Sequence, residues 1–521
     1  MNDPLNDTVH DRRRFLTYAA GVAGLIALGQ VPGGPTDPTP ALSGNPFTLG
    51  VASGDPRPDS VVLWTRLAPQ PLADDGLGGM PREPVPVRWE VAEDDGMRKV
   101  VRKGVATARP ELAHAVHVEV DGLRPGREYW YRFTVGVETS PTARTKTAPD
   151  PGWATEVSFA WASCQQWEAG FYTAYRDLAA QDLDLVGHLG DYIYEYAIGA
   201  SGGNRKTPLS AAHNAAVMTL SQYRLRYALV NSDPDLRAAR AAAPWFLVPD
   251  DHDVEDNWGA DRSPTGMTPE NFLRRRAAAF RAYFENLPLR PSTLPAGPDM
   301  SFYQRIKYGK LATFHALDER QFRSPADINA RLDPNRTMLG EQQERWLLDG
   351  LGGSHSTWNL LANQVQMFQL DRLTDPGLQQ LNPDTWDGYA AGRNRLWAGI
   401  AARKVSNPVV ITGDAHVNCA AEIKADYADP ASPTVSVEFL GTSITSGGNG
   451  SDTSPGGQEW LAANPHLKFF NNQRGYVRCH LGPDTLRADY VVVDKVTTPG
   501  GAASVRKSFV VESGRPAIQD V

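Results

Sequence analysis

The stretch Leu183-Asp-Leu-Val-Gly-His-Leu-Gly190-Asp-Tyr-Ile-Tyr194 decides the fold, because an apolar run in it ends directly in Gly-Asp and two tyrosines. Three further apolar runs also end in residues that can bind metals: 157–162 before Ser163-Cys164, 245–248 before Asp250-Asp251-His252-Asp253, and 409–412 before Gly413-Asp414-Ala415-His416. Helical patterns separate these strand-like runs, which predicts an α/β unit. Ligands in such sheets bind beyond the carboxyl ends of the strands, so we expect the four clusters to converge on one site.

Each cluster also has a simpler explanation when it is considered alone. A single cysteine such as Cys164 is more often a small buried hydrophobic residue than a metal ligand. Gly-Asp after a strand is often only a turn, and the acidic run 250–253 could cap a helix. Four such coincidences in succession are much harder to explain by turns and caps, so the sequence favours a metal site.

The bulk composition excludes some functions. The chain has 521 residues, which predicts two or three domains, and it carries a net charge of −8. It lacks the basic stripe of a duplex nucleic-acid binder, so no stable nucleic-acid partner is expected, although a nucleotide or a lipid headgroup could be a substrate. The three cysteines, Cys164, Cys419 and Cys479, could form at most one disulfide.

The first 40 residues have the organisation of an export signal. Arg12-Arg13-Arg14-Phe15-Leu16 matches the twin-arginine pattern, and a Pro/Gly-rich linker occupies 32–40. The apolar stretch 18–28 between them is shorter than the roughly 20 residues that span a bilayer. We therefore predict a twin-arginine signal and linker over 1–40, the twin-arginine export machinery as a partner, and a periplasmic, cell-wall associated or secreted protein that is not integral to the membrane.

Residues 43–148 carry strands and turns at the spacing of a β-sandwich. Leu123-Arg-Pro125 before Tyr129 has the pattern of a tyrosine corner, in which a tyrosine hydroxyl fixes the turn before a strand. We predict a fibronectin-III-like β-sandwich with a structural role here, followed by an α/β domain over 152–515. Within that domain we expect one helix over 222–242, a hairpin of 475–480 with 486–493 in the second sheet, and a mobile Gly/Ser loop over 446–457.

The four clusters, in their order along the chain, resemble the metallophosphoesterase superfamily and, in their variations, its PhoD-type alkaline phosphatases. Cys164 stands at the first acidic cluster of the general pattern, and Gly190-Asp191-x-x-Tyr194 is the tyrosine variant of its Gly-Asp motif. Asp251-His252-Asp253 and Gly413-Asp414-Ala415-His416 replace Asn-His-Asp/Glu and Gly-His-x-His. Segments such as Leu317-Asp-Glu-Arg-Gln-Phe-Arg323 extend the resemblance over most of the chain, from about residue 10 to 510. Asp256 departs from the family pattern, which has an asparagine at this position.

This resemblance implies a fold and an activity. The α/β domain would be a metallophosphoesterase sandwich, with two mixed sheets flanked by helices. The protein would be an exported, metal-dependent phosphoesterase that hydrolyses phosphate monoesters, diesters or both by the attack of a metal-activated hydroxide. Its substrate would be a small phosphate ester of nucleotide, cell-wall or phospholipid origin. Three alternatives remain: a purple-acid-type phosphatase, whose late motif is Gly-His-x-His, a phospholipase-D-like phosphodiesterase, and a non-catalytic binding module.

The chemistry of the donor atoms favours particular metals. Seven side chains are candidate ligands: Cys164, Asp191, Tyr194, Asp251, Asn257, Asp414 and His416. The anionic set of Cys164, Asp191, Tyr194 and Asp414 suits ferric iron better than zinc. The remaining three offer mainly oxygen ligands, which calcium prefers, although the residues alone do not distinguish calcium from manganese. The resemblance implies one Fe³⁺ beside one or two Ca²⁺.

Two residues are candidates for direct roles in the reaction. We expect His252 to protonate the leaving oxygen or to stabilise its charge, with Asp253 orienting the imidazole ring. His188 is expected to be a packed strand residue, whereas His466 and Arg474 are candidates for the lining of the cleft.

Overall fold

The computed structural model describes residues 42–375, 377–429 and 431–521. The signal predicted over 1–40 therefore lies outside the described residues. Two large mixed β-sheets pack face to face around an apolar core, in which Phe159 and Phe314 meet edge to face with ring centroids 5.0 Å apart. Helices cover the outer faces of both sheets, so the predicted α/β sandwich is confirmed.

The first sheet has ten strands. In spatial order they are β22 (Arg515–Asp520), β21 (Ala503–Glu512), β20 (Thr485–Val493), β19 (Arg474–Leu481), β9 (Val157–Ala162), β10 (Leu185–His188), β11 (Pro244–Leu247), β1 (Val51–Gly54), β2 (Ser60–Arg66) and β5 (Ala115–Asp121). The central strands β9, β10, β11 and β1 are parallel to one another. β10 and β11 are buried along their whole length because both faces of the sheet are covered, and this explains their continuous apolar sequences.

The second sheet has seven strands. In spatial order they are β12 (Gln304–Tyr308), β13 (Ala312–Ala316), β14 (Trp358–Ala362), β15 (Pro408–Thr412), β17 (Thr434–Leu440), β16 (Asn418–Lys424) and β18 (Leu467–Asn471). The predicted hairpin is present as β19 and β20, but β19 pairs with β9, so the hairpin belongs to the first sheet and not to the second. The polarity pattern of a hairpin suits either sheet, and only the pairing partner of its edge decides between them.

The N-terminal strands do not form a free-standing sandwich. A separate five-stranded sheet contains β4 (Val100–Ala108), β3 (Val85–Ala92), β6 (Glu128–Val135), β7 (Glu138–Thr139) and β8 (Ala143–Lys146). It packs against β1, β2 and β5, which are one end of the ten-stranded sheet. The sandwich expected over 43–148 is therefore built on a sheet that it shares with the α/β part of the chain. Alternation shows which face of a strand is buried but not which segment lies at its edge, so the sequence could not reveal the shared sheet.

The predicted tyrosine corner is confirmed. Tyr129 is buried, and its hydroxyl accepts a hydrogen bond from the backbone N–H of Arg124 at 2.8 Å. The turn at 123–126 is therefore fixed to the start of β6, as the Leu-x-Pro pattern indicated.

Seven α-helices occur in the described part of the chain. They are α1 (Thr173–Ala179), α2 (Leu220–Asn231), α3 (Pro234–Ala242), α4 (Pro269–Asn286), α5 (Gly340–Gly352), α6 (Ala390–Ala402) and α7 (Pro455–Ala463). The expectation of one helix over 222–242 is wrong, because α2 ends before Pro234 and α3 begins there. Proline lacks a backbone N–H and is suited to a first turn, and Asp233 caps α3 by accepting hydrogen bonds from the N–H groups of Asp235 and Leu236. None of these helices combines the length and the apolar character that crossing a membrane requires.

Candidate metal centre

The four predicted clusters meet at one edge of the sandwich. His188 of β10 pairs with Ala162 of β9 and with Leu247 of β11. The polar clusters that follow these three strands therefore begin at the same level of the sheet. β15 brings the fourth cluster from the other sheet. Potential ligand atoms lie within 4.8 Å of one another in three groups: Cys164, Asp191 and His416; Asp191, Asp251 and His252; and Asp250, Asp251 and Asp414. Asp191 and Asp251 each belong to two groups, so the three groups form one continuous site.

Two glycines allow the strand ends to approach this closely. A Cβ atom at Gly413 would lie 2.5 Å from Ser163 Oγ, and one at Gly190 would lie 2.3 Å from Asp250 Cβ. Gly190 also has a φ of 106°, which residues with a side chain rarely adopt. The glycine before each aspartate is therefore required by contact between strand ends and not only by a turn.

Most of the candidate ligands have a left-handed backbone. Positive φ values occur at Cys164 (58°), Asp191 (57°), Asn257 (57°), Asp414 (66°) and His416 (56°). This conformation costs a non-glycine residue on the order of 1 kcal/mol and persists only where the surrounding fold imposes it. Thirteen non-glycine residues of the described chain adopt it, and five of them are candidate ligands. Such a concentration of strain is typical of a functional site.

The first group surrounds the hydroxyl of Tyr194. This oxygen lies 2.8 Å from Asp191 Oδ2 and 3.1 Å from His416 Nε2, and Cys164 shares a ligand group with the same two residues. We expected Asp414 in this group and His416 with the oxygen ligands, but His416 lies in this group. The two residues lie two apart on a turn in which both φ angles are positive, and strand periodicity gives no information about where such a turn directs each side chain.

Asp414 instead groups with Asp251 and with Asp250, which sequence reasoning missed as a candidate ligand. Asp250 is buried, and its Oδ2 atom has no hydrogen-bond partner among the described residues. A buried carboxylate oxygen without a partner is costly, so its presence supports a cation at this position. The pair Asp250-Asp251 indicated in the sequence that an aspartate here could bind a metal, but it did not show which of the two faces the site.

The carboxylates crowd one another so closely that the site requires positive charge. Burial raises the pKa of Asp191 and of Asp414 well above the usual range, and the charges of Asp250 and Asp251 raise both further. Burial, together with Asp191 and Asp414, likewise raises the pKa of the Cys164 thiol. Bound cations would favour the ionised forms of all these groups.

The imidazole of His416 is already in the state that a metal ligand needs. Burial, with Arg474 and His252 nearby, lowers the pKa of His416 to about 3, so the ring is neutral. A thiol, a phenol, a neutral imidazole and several carboxylates thus face a common space. This donor set fits a ferric ion beside an oxygen-liganded divalent cation.

One cation of the chain itself lies among the carboxylates. Arg320 is fully buried, its Nε donates to Asp250 Oδ1, and its Nη2 is 3.6 Å from Asp251 Oδ1. Burial alone would raise the pKa of Asp251, but the charges of Arg320 and His252 outweigh it and hold that pKa below its usual range. Arg320 belongs to the family-like segment 317–323, for which the sequence indicated no role.

His252 lies beside the centre, but its partner is not the one that we predicted. Asp253 accepts hydrogen bonds from the backbone N–H groups of Asp191 at 3.1 Å and Asp250 at 3.0 Å, so it ties two strand ends together. The Nδ1 atom of His252 lies 2.8 Å from Glu195 Oε2 instead. The expectation that Asp253 orients the ring is therefore wrong, because consecutive side chains in the 3₁₀ turn at 251–253 point in different directions.

Asn257 reaches the site through its backbone. Its N–H group donates to Asp251 Oδ2 at 2.7 Å, whereas its exposed side-chain amide donates to Asp256 Oδ1 at 2.6 Å. A ligand role for its side-chain oxygen remains a prediction. Asp256, the departure from the family pattern, also accepts a hydrogen bond from the hydroxyl of Tyr196 at 2.7 Å.

Ser446 is a further residue that sequence reasoning missed. It begins the segment that we expected to be a mobile loop, yet it is buried, and its Oγ lies 2.8 Å from the Tyr194 hydroxyl oxygen. Arg474 is also buried. It donates to Ser443 Oγ at 2.9 Å and to the carbonyl oxygen of Ser446, so it supports the start of this loop. His466 bonds to the carbonyl oxygen of Gln369 at 2.7 Å. His188 is buried and stacks on Trp245, as expected for a packed strand residue.

Comparisons with known proteins find relatives over most of the chain. A family model described as PhoD-like phosphatase matches residues 159–490, and one described as PhoD-like phosphatase, N-terminal domain matches residues 34–149. Alkaline phosphatase D of Bacillus subtilis (strain 168) is 47% identical over 534 residues, which cover 100% of this chain and 90% of the relative. A solved structure of PhoD has a TM-score of 0.88 at 48% identity, covering 92% of this chain and 93% of that one. A purple acid phosphatase from seeds of yellow lupin (Lupinus luteus) has a TM-score of 0.52 at 14% identity, over 89% of this chain and 73% of that one, and this is a likeness of fold alone.

Proposed function

Because the chain belongs to the PhoD-like phosphatase family and is therefore a phosphoric ester hydrolase, we propose that its metal centre holds one Fe³⁺ beside one or two Ca²⁺ and hydrolyses small phosphate esters there. The observation that carries this proposal is the continuity of the three ligand groups. Asp191 and Asp251 link them, and atoms within each group lie no more than 4.8 Å apart. Carboxylates that are shared in this way suit neighbouring cations.

The group around Tyr194 is assigned to the ferric ion. Cys164, Asp191, Tyr194 and His416 would supply a thiolate, a carboxylate, a phenolate and a neutral imidazole. The anionic sulfur and phenolate ligands favour the trivalent over the divalent state of iron.

The acidic group is assigned to calcium. Asp251 and Asp414 would supply carboxylate oxygens. Asp250 Oδ2, which has no hydrogen-bond partner among the described residues, could contribute, and Asn257 is a further candidate ligand. Calcium accepts six to eight oxygen ligands in flexible geometry, which suits a site with several carboxylates at different positions.

When bound, the cations would draw negative charge from the phosphoryl oxygens and from the attacking water. The residues of the chain supply the remaining functions. Arg320 keeps Asp250 and Asp251 in place, and the buried surroundings of Cys164 and Asp191 strengthen every electrostatic interaction with the substrate. We assign to His252 the protonation of the leaving oxygen, because it belongs to a ligand group with Asp191 and Asp251 and its Nε2 makes no hydrogen bond with the described residues.

The substrate is a small phosphate monoester or diester, of nucleotide, cell-wall or phospholipid origin. Export through the twin-arginine pathway is also part of the proposal, and it rests on Arg12-Arg13-Arg14-Phe15-Leu16 and the apolar stretch after it. The protein would then act in the periplasm, at the cell wall or in the medium.

The alternatives are less well supported. A purple-acid-type centre needs a histidine where this chain has Asp414, and the likeness to the lupin enzyme is confined to the fold. A non-catalytic binding module would be expected to lack one of the main ligand residues, and the chain retains Cys164, Asp191, Tyr194 and Asp414.

Elemental analysis of the folded protein tests the proposal first. We expect stoichiometric iron, a phenolate-to-iron absorption band in the visible range, and a loss of phosphatase activity on calcium chelation that calcium reverses. Zinc or manganese beside the iron, with activity indifferent to calcium, would contradict the calcium assignment and support a purple-acid-type centre.

A matched pair of variants locates the calcium within the chain. Asp414→Asn removes one charge from the acidic group, so reactivation should need a higher calcium concentration. Asp452→Asn removes an equivalent charge from a half-exposed pair with Arg506 and should leave the calcium requirement unchanged.

A further inference from the structure

The imidazole ring of His252 is restrained on three sides. Its Nδ1 atom lies 2.8 Å from Glu195 Oε2, and the ring of Tyr194 stacks on it with centroids 4.2 Å apart and planes inclined at 27°. Tyr196 meets it edge to face at 5.1 Å. The other ring nitrogen, Nε2, makes no hydrogen bond within the described part of the chain and lies 4.0 Å from Asp256 Oδ1. The restraints therefore leave a single nitrogen free to act.

Glu195 is itself fixed. Its side chain is nearly inaccessible to solvent, and Oε1 accepts a hydrogen bond from the backbone N–H of Asp256 at 2.8 Å. Its carbonyl oxygen accepts another from the N–H of Val217 at 2.7 Å. Both carboxylate oxygens thus act as acceptors, one for a backbone group that cannot change and one for His252.

We propose that Glu195 is the positioning residue of His252, holding the proton on Nδ1 so that Nε2 presents its proton to the leaving oxygen of the phosphate ester. The proposal deepens the function above and rests on the role given there to His252. It replaces Asp253, whose carboxylate binds backbone N–H groups, as the residue that orients the ring.

The proton balance of the step agrees with this arrangement. A hydroxide oxygen bonds to phosphorus, the bond from phosphorus to the leaving oxygen breaks, and the electron pair of that bond goes to the leaving oxygen. The proton of Nε2 moves to the same oxygen, and the imidazolium ring becomes neutral. Its remaining proton is on Nδ1, where Glu195 already accepts it, so the hydrogen bond persists throughout the step. Water then returns a proton to Nε2.

Glu195→Gln is a sharp test because the two acceptor duties of Glu195 need two oxygens. Glutamine has one oxygen, and the backbone N–H of Asp256 requires it. The amide NH₂ would then face Nδ1, which could only accept, and the ring would be held neutral with its one proton on Nε2. Loss of that proton would leave an imidazole anion, so the ring could no longer act as a general acid.

The readout is the dependence of kcat on the leaving group. 4-Nitrophenolate leaves without a proton, whereas the alkoxide of an alkyl phosphate needs one. General acid catalysis contributes about 10²-fold or more, so Glu195→Gln should lower kcat about 10²-fold for an alkyl phosphate and less than about threefold for 4-nitrophenyl phosphate. His252→Ala should give the same selectivity. KM and metal content should stay close to those of the parent enzyme.

Glu285→Gln is the matched control, because it removes the charge of another buried glutamate, the partner of Arg224, and should alter no leaving-group preference. If Glu195→Gln lowered kcat equally on all esters while His252→Ala lowered it selectively for alkyl phosphates, the positioning role of Glu195 would be overturned, but the acid role of His252 would not. Equal loss in both variants would overturn the acid role of His252 and the present inference with it. A loss of activity in Glu195→Gln that parallels loss of metal would also overturn it, because Glu195 would then act by retaining the ions.

Discussion

Cys164 is the residue on which the assignment of iron depends most directly. It is buried at the end of β9 with a left-handed backbone, and its N–H group donates to the carbonyl oxygen of Gly190 at 3.1 Å. Among the candidate ligands only this residue supplies sulfur. A thiolate ligand would separate this centre from purely carboxylate and imidazole sites, in which calcium, magnesium or zinc would compete more effectively.

Cys164→Ser should therefore release iron. A serine hydroxyl is a poor substitute for a thiolate, and because changes beyond the ligands already cost about 10–100-fold in metal affinity, loss of a ligand should cost at least as much. We expect little bound iron, a weak visible band and a parallel loss of activity. Cys479→Ser, a change at another buried cysteine, in β19, is the control and should keep the iron. Normal iron content and activity in Cys164→Ser would refute the thiolate ligand.

The identity of the donor residues could be predicted, but their arrangement could not. The clusters at the ends of the strands were visible because each follows an apolar run directly. The grouping of His416 with Cys164 and of Asp414 with Asp250 depends on two left-handed residues. The contact of Glu195 with His252 joins positions 57 residues apart. Ser446 lies 252 residues from Tyr194 along the chain. Contacts of this range follow from the completed fold and leave no local pattern.

At the scale of elements, Asp233 lies between α2 and α3 and connects the N-terminus of α3 to Arg205, in the loop that follows Tyr194. Asp233 Oδ1 caps α3, and its Oδ2 accepts a hydrogen bond from Arg205 Nη1 at 2.5 Å in a buried pair. The guanidinium of Arg205 also lies over the rings of Trp167 at 4.7 Å and Tyr172 at 4.4 Å. Asp233 therefore stabilises both α3 and the loop that contains Arg205.

The two duties of Asp233 can be separated by substitution. Asp233→Asn keeps a good cap but breaks the buried ion pair, which should cost about 3 kcal/mol because Arg205 is left without its partner. Asp233→Ala should cost about 1 kcal/mol more, since the cap is lost as well. Urea denaturation measures both values. Asp235→Asn on the same helix breaks only the more exposed pair with Arg176 and should cost less than about 1 kcal/mol. Equal stability of Asp233→Asn and the parent would show that the pair contributes nothing.

Strands that are buried along their whole length were predicted well from the sequence. Elements whose ends or pairing partners depend on other parts of the chain were not. β9, β10, β11 and β15 appear within one or two residues of the expected runs, because only a buried strand explains such sequences. The helix over 222–242 was predicted without its break because its composition favours a helix on both sides of Pro234. The sheet of the β19–β20 hairpin depends on a partner more than 300 residues away, Trp161 opposite Val477.

At the scale of the whole molecule, the N-terminal strands and the metal centre share one sheet. β1 pairs with β11, whose end carries Asp250 and Asp251, and β2 and β5 contact the end of α4. Trp64 Nε1 donates to the carbonyl oxygen of Glu285 at 3.1 Å, and the ring of His117 stacks on Phe284 at 4.3 Å. The family model for the N-terminal domain matches residues 34–149 as a unit of sequence, but the hydrogen bonds of the sheet continue across its boundary. We therefore expect the chain to unfold as one cooperative body.

Gly54→Ala tests this expectation at the junction itself. Gly54 of β1 pairs with Trp245 of β11, and a Cβ atom there would lie 2.2 Å from the carbonyl oxygen of Pro288 and 2.9 Å from that of Trp245. Both contacts are with backbone, so the methyl group can be accommodated only if β1 moves away from Pro288 and from β11, at a cost of about 1–3 kcal/mol. In a cooperative molecule, calorimetry should show a single transition at a lower temperature, and the visible band of the iron should disappear at that same temperature. Gly44→Ala, where nothing lies within 4 Å of the added atom, should leave the transition unchanged. The opposite result would be two transitions, with Gly54→Ala lowering only the temperature of the transition at which the iron band persists. The N-terminal strands would then fold independently, and the shared sheet would transmit no stability to the centre.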